Sequence, residues 1–304
     1  MNMVLQSFLP ARAKFHDGQL TFVVGDLGTA LRQGCFALRI PDELDLAPGI
    51  RLAQEFYLAG RGVQDREGIY FDQELFQTDH VLIDGPRRRK DFPQAVNLMC
   101  EKMCALARFL LRIILTEAGI SESLWADATD DCVTDGGVQW FALGHYQSDR
   151  NLPGAPAHKD PGFITVLYYD KPGLEAYIDG EWRNIPPVGG YFLINFGGAL
   201  EILTAKCSVP VKAVLHRVRQ CLPASKTGDH FSFAVFLNPA ADGDVIQASA
   251  DGKTLVSLGS VDEYLRTLNK MTWHDGYAAF GITRKSHDMV LVPQTCDHPV
   301  KGPR

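Results

Sequence analysis

The chain has 304 residues, 46% hydrophobic and 22% charged, and its 30 Lys and Arg against 36 Asp and Glu give a net charge of -6. This is ordinary globular composition, long enough to bury a large core. A net acidic balance offers no general attraction to phosphate backbones or anionic lipid, so neither nucleic acid nor a membrane is expected as a partner.

Met1 to Leu20 has no basic start followed by a sustained apolar run, so it does not read as a secretory signal, and no later stretch approaches a membrane span. A cytoplasmic protein is expected. The seven cysteines (35, 100, 104, 132, 207, 221 and 296) are odd in number and scattered, without a Cys-x-x-Cys pair. Reduced thiols fit that pattern better than a disulfide frame or a structural zinc site.

One domain over 1–304 is expected, with an N-terminal helical region of about 1–135 packed on a β-rich core of about 136–292. In chain order, "LRQGCFALRIP" (31–41) reads as a helix end running into a short strand closed by proline. "DGPRRRKDFP" (84–93) reads as a basic loop, either a solvated turn or an anion-binding lid over a site. From Ala95 to Ala118 the periodicity predicts a core helix, with Asn97, Glu101, Arg108 and Arg112 on its polar face and Gly119 as its stop. Cys100 and Cys104, one turn apart, fall on its buried side.

After Asp135 the texture changes to short runs rich in Val, Ile, Phe and Tyr, separated by Gly, Pro and Asp: "VQWFALGHY", "FITVLYY", "LEAYI", "YFLIN", "KAVLHRV" and "HFSFAVFL". Strands at this spacing predict an antiparallel sandwich or barrel. Asp179-Gly180 marks a hairpin within "LEAYIDGEWRNIPP", a last helix is expected near Val261 to Lys270, and the tail after Val292 has no clear pattern.

"AHKDPGFITVLYYD" (157–170) carries the chemistry. A lone His-x-Asp is weak evidence, but an extended segment sends His158 and Asp160 to the same face, where they can share one ion. His216, in "KAVLHRV", ends another apolar run that a barrel could bring across as a third ligand. Two imidazoles and one carboxylate on one side of a metal leave open positions opposite, which suits iron(II); zinc would suit a hydrolase.

"HKDPGFITVLYYD", "GLEAYIDGEWRNIPPVGGYFLINFGGALEILT", "VLHRV" and "FSFAVFLNP" resemble successive blocks of the iron(II)/2-oxoglutarate-dependent dioxygenases, in the branch that includes isopenicillin N synthase. The order of the blocks and the 56-residue gap from Asp160 to His216 agree with that branch. The resemblance is dense from Trp140 to Pro239. It implies an α+β fold in which a double-stranded β-helix, or jelly-roll, is flanked by helices that come mainly from the N-terminal part. It also implies that His158, Asp160 and His216 bind iron and form the catalytic centre.

One departure stands out. The family usually places an Arg-x-Ser pair on the strand after the distal histidine to hold the far carboxylate of 2-oxoglutarate, whereas this chain has His230 with Ser232. A planar two-pronged cation is exchanged for an imidazole that is only partly charged near neutrality. Three arrangements stay open. His230, Ser232 and Tyr146 hold 2-oxoglutarate; or Arg219, Lys226 or a residue of the Arg87 to Lys90 run supplies the missing charge; or the enzyme draws its electrons from the substrate and needs no 2-oxoglutarate, as isopenicillin N synthase does.

His145 is left out because alternation turns it away from Tyr146, and "WHDGY" (273–277) reads as a turn. The expected activity is that of a mononuclear non-haem iron(II) oxygenase using 2-oxoglutarate and dioxygen to hydroxylate, desaturate or cyclise a small molecule of secondary metabolism. A non-catalytic jelly-roll binding module is the rival reading. Substrate identity and oligomeric state are not written in the sequence.

Overall fold

The computed structural model of the protein describes residues 6–16, 18–58, 70–72, 75–134, 137–221, 229–273, 280–282 and 289–291. The leading part runs β1 (Arg12–His16), β2 (Gln19–Val24), α1 (Leu27–Gln33), β3 (Cys35–Arg39), α2 (Ala47–Leu58), β4 (Tyr70–Asp72), β5 (Thr78–Asp84), α3 (Gly85–Asp91), α4 (Gln94–Glu117) and α5 (Trp125–Ala128). There follow β6 (Val138–Tyr146), β7 (Ala155–His158), β8 (Ile164–Tyr169), β9 (Leu174–Ile178), β10 (Glu181–Asn184), β11 (Tyr191–Phe196), α6 (Gly198–Thr204), β12 (His216–Val218), β13 (His230–Asn238), β14 (Asp244–Ala248), β15 (Leu255–Ser260) and α7 (Val261–Trp273).

Nine strands form the large sheet in the order β2-β1-β3-β11-β8-β13-β6-β5-β4, and four form the small one, β10-β9-β12-β7. Pairing is antiparallel except between β1 and β3. This is the expected α+β architecture with a double-stranded β-helix at its centre. The first half is less helical than its sequence reads, because β1 to β5 all join the large sheet. Their short runs lack clean alternation: β5 is buried at six of its seven positions, and a strand covered on both faces loses the period of two.

Helix α1 starts on Asp26, whose side chain accepts from the Thr29 amide, and stops at Gly34, where φ is 85°. Only glycine adopts that left-handed turn without strain, and it releases the chain directly into β3. Helix α4 buries Val96, Met99, Cys100, Met103, Cys104, Ala107, Leu110, Leu111, Ile114 and Leu115, a stripe with the i, i+3, i+4 spacing, against β8 and β13. Each fully buried side chain of this size stabilises the fold by about 1.5–3 kcal/mol. That packing fixes the reverse face of the large sheet and leaves its other face to meet the small sheet.

The basic segment 84–93 is not a loop. Asp84 caps α3 by accepting from the Arg87 amide, with proline in the first turn, and Arg88 turns inward to lie 1% exposed beside Cys100 and Cys104. Arg87 pairs with Asp91. The run therefore packs onto the helical side of the sheet and forms no lid over the cavity. Asp179 (φ 53°) and Gly180 (φ 84°) make the tight turn joining β9 to β10, as the sequence predicts. The six described cysteines are all buried and unpaired; Cys296 lies outside the described residues. No described helix is long and apolar enough to cross a membrane.

Candidate metal centre and its cavity

Between the two sheets lies a cavity of about 230 Å³, lined by residues of β5, β6, β8, β12 and β13 and bounded by α7. His158 ends β7 and His216 begins β12, and the antiparallel register places them directly opposite one another. The sequence reading put His216 at the end of its run; the strand instead starts there, because "KAVL" approaches as irregular chain before pairing begins.

The three expected ligands converge. His158 Nε2 lies 3.9 Å and His216 Nε2 3.8 Å from the same oxygen, Asp160 Oδ1, and one donor atom from each residue falls within 4.8 Å of the others. Those separations are too long for hydrogen bonds. What they leave is space between lone pairs.

Local structure prepares each ligand. The Nδ1 atoms of His158 and His216 lie 2.9 and 3.2 Å from the carbonyls of Pro156 and Val214, which selects the tautomer with its proton on Nδ1 and a lone pair on Nε2. The Thr165 hydroxyl donates to Asp160 Oδ2 at 2.7 Å, holding one carboxylate oxygen and leaving Oδ1 for the centre. Burial, together with the neighbouring His216, pushes His158 down to about 4, so the imidazole is neutral and ready to donate its lone pair.

Glycine packing sets the position of Asp160. A Cβ on Gly197 would meet the Gly162 carbonyl at 2.2 Å, and one on Gly162 would meet the Leu237 carbonyl at 2.3 Å. Only bare backbone allows this approach, which lets the Gly198 amide at the start of α6 donate to the Asp160 carbonyl at 2.7 Å.

At one end of the cavity β13 pairs His230 with Tyr146 of β6, their rings 5.0 Å apart. His230 is 3% exposed and neither ring nitrogen has a hydrogen-bond partner. Burial, aided by the charge of Lys171, holds it down to about 4, so it is neutral here. Burial also raises the Tyr146 phenol, while the Ser232 and Thr78 hydroxyls hydrogen-bond it. An uncharged imidazole with two orphaned nitrogens, next to three hydroxyls, is a polar pocket without a fixed counter-charge.

Of the other charge sources considered, Arg87 and Arg88 lie on the far side of the sheet, and Lys226 is outside the described residues. Sequence reading missed Lys171, whose Nζ donates to the carbonyl of Asp229, the residue just before His230, at 2.6 Å. It also missed His80, a cavity-lining residue that burial and the nearby His158 hold down to about 4. Neither carries a motif; the only hint of His80 is its place in a strand two residues from Thr78. His145 points away from the centre, as alternation predicts, and lies 2.9 Å from Asp79 Oδ1 and 3.1 Å from Asp229 Oδ2. The "WHDGY" segment lies outside the described residues beyond Trp273.

With this geometry in place, residues 139–239 match the 2OG-Fe(II) oxygenase superfamily model, a span that begins just before Trp140 and contains His158, Asp160 and His216. The match covers the part of the chain that carries the candidate metal centre. Over 191 residues it is 27% identical to 1-aminocyclopropane-1-carboxylate oxidase 3 of Arabidopsis thaliana, covering 61% of this chain and 56% of that relative. The aligned part thus spans little more than half of the relative's length. Among solved structures, it is similar to JOX2 in complex with 2OG, Fe and JA (TM-score 0.63, 21% identity, 80% of each chain covered). It is also similar to a 2OG-Fe(II) oxygenase family protein from Caulobacter crescentus (TM-score 0.60, 21% identity, 81% of this chain and 93% of the other). These two likenesses are of fold.

Proposed function

We propose that this chain is a member of the 2OG-Fe(II) oxygenase superfamily, a mononuclear iron(II) oxygenase that uses 2-oxoglutarate and dioxygen to oxidise a C–H bond of a small molecule. One observation carries the reading: two imidazole Nε2 atoms and one carboxylate oxygen converge from β7, its following turn and β12, with their other polar atoms tied to backbone or Thr165. Such a set occupies one face of a metal and leaves the opposite face to exogenous ligands.

His158, Asp160 and His216 would hold the iron, and Tyr146, His230 and Ser232 would receive 2-oxoglutarate at the adjacent end of the cavity. Bound iron supplies the activation of dioxygen, and the cosubstrate supplies two of the electrons. The chain's own residues bind, orient and exclude water. Thr165 keeps the Asp160 carboxylate turned so that one oxygen faces the centre. As an anionic carboxylate enters beside it, His230 takes up a proton on one of its unpartnered nitrogens, and Lys171 adds positive potential from behind.

The neutral state of His230 also favours a second reading, an oxidase of the isopenicillin N synthase type that needs no 2-oxoglutarate. An anaerobic iron(II) titration, followed by oxygen uptake and a succinate assay with and without 2-oxoglutarate, separates the possibilities. Succinate formation supports the first reading. Oxygen uptake with candidate substrates and no need for 2-oxoglutarate supports the second, and failure to bind iron removes both. The unpaired cysteines suit a reducing compartment such as the cytoplasm. The carboxylate substrate named for the Arabidopsis relative is not carried over to this chain.

A further inference from the structure

The end of the cavity opposite His230 has a different chemistry. Leu82 of β5, Trp140 of β6 and Phe236 of β13 form its wall, with Trp140 and Phe236 directly opposed across the strand pair, and Leu265 and Leu268 of α7 close it from outside. Apart from the histidines, the one basic side chain among the described lining residues is Lys159, and its Nζ lies 2.5 Å from Glu201 Oε2. Moving a carboxylate or ammonium from water into such a wall costs several kcal/mol unless a partner charge meets it.

Two asparagines on the lining lack partners among the described residues: Asn195 through its Oδ1 alone, and Asn238 through both atoms of its amide. Asn238, the last residue of β13, is 6% exposed, and both its Oδ1 and its Nδ2 lack hydrogen bonds. A buried amide left with an unused acceptor and an unused donor costs about 1–3 kcal/mol for each group. A ligand edge carrying one donor beside one acceptor would satisfy both, and the two aromatic rings favour a flat body.

We infer that the substrate is an uncharged, ring-bearing molecule whose amide-like edge, a donor next to an acceptor, pairs with Asn238 while its flat body lies against the wall formed by Trp140 and Phe236. This inference rests on the oxygenase reading, since it takes the end remote from His230 as the place where the oxidisable molecule lies. It separates this chain from enzymes whose substrate presents a carboxylate.

The test uses three probes of nearly equal shape: benzamide, benzoate and benzamidine. Each is titrated anaerobically into the full chain loaded with iron(II) and 2-oxoglutarate, with binding read by calorimetry and ligand-observed NMR. Benzamide is expected to bind at least ten-fold more tightly than either charged probe. In Asn238→Asp, which keeps the side-chain shape, the order of benzamide and benzamidine is expected to reverse, and Phe236→Ala should weaken all three. Equal or tighter binding of benzoate, an unchanged order in Asn238→Asp, or no binding of any probe at millimolar concentration would overturn the inference. The preceding 2-oxoglutarate titration keeps the two readings apart. If 2-oxoglutarate binds and the probes do not, only the substrate inference falls; if 2-oxoglutarate itself does not bind, the cosubstrate reading falls first.

Discussion

His158 and His216 face each other across neighbouring antiparallel strands with ring centroids 4.3 Å apart, and both direct Nε2 toward a single oxygen of Asp160. Burial and the neighbouring ring hold His158 neutral, and the two Nε2 atoms face a common point. Alanine at His158, Asp160 or His216 should therefore abolish iron(II) binding at micromolar metal, measured by anaerobic titration, and with it oxygen consumption. A His158→Ala protein that keeps wild-type iron affinity would refute the ligand assignment.

Under the proposed function, Thr165 would act on the metal through Asp160. Thr165→Val keeps the shape of the side chain and removes the hydroxyl that holds Asp160 Oδ2. Losing an outer partner of a metal ligand typically costs about 10–100-fold in affinity or activity. The iron dissociation constant of Thr165→Val should rise by that order, with the thermal melting profile of the metal-free protein changing little.

Cosubstrate binding should depend on pH through His230. Burial holds its pKa down to about 4, and a carboxylate bound beside it would raise that value, so binding would take up a proton at any pH between the two. Across that window the 2-oxoglutarate dissociation constant should increase about ten-fold per pH unit. Calorimetry between pH 5 and 8.5, in buffers of different ionisation enthalpy, measures both the slope and the proton. His230→Arg, already charged, should bind more tightly and lose the dependence. A flat wild-type profile would show that His230 does not receive the anion.

His145 clasps two strands from the reverse side. Burial alone would lower its pKa, but the carboxylates of Asp79 and Asp229 outweigh that and raise it above the usual 6.5. A group raised on folding contributes stability that is fully present below its unfolded pKa and is lost as pH rises through its folded value. Denaturant midpoints should accordingly fall as pH increases from about 6.5. His145→Leu should remove that dependence and destabilise the fold by about 3 kcal/mol, since the buried Asp79 then loses the imidazole that pairs with it.

The loop that carries Asp160 depends on glycine. Gly197→Ala would press a methyl against the Gly162 carbonyl, with backbone on both sides and nothing flexible to yield. The expected cost is roughly 2 kcal/mol or more in chemical denaturation, together with weakened iron binding, because the Gly198 amide would no longer reach the Asp160 carbonyl.

The three candidate ligands were legible in the chain because their signal is local or nearly so. His158 and Asp160 are two residues apart in an extended segment, His216 sits beside its own apolar run, and strand geometry does the rest. The long helix α4 was equally legible, since a stripe repeating at helical spacing needs no knowledge of what it packs against. Segment 84–93 was not. Its charges suggest solvent, yet Arg88 is enclosed because α4 presents Cys100 and Cys104 where the side chain turns in.

Sequence by itself determined which side chains could bind a metal and that a β-rich core would carry them, since both follow from residue type and short-range period. Tertiary structure alone decided which atoms face the centre, through Thr165 and the carbonyls of Pro156 and Val214, and that His80 and Lys171 lie near it. It also set the neutral state of His230 and the apolar, amide-bearing end at Asn238. Those features depend on desolvation and on partners distant along the chain, and burial has no sequence period from which it can be read.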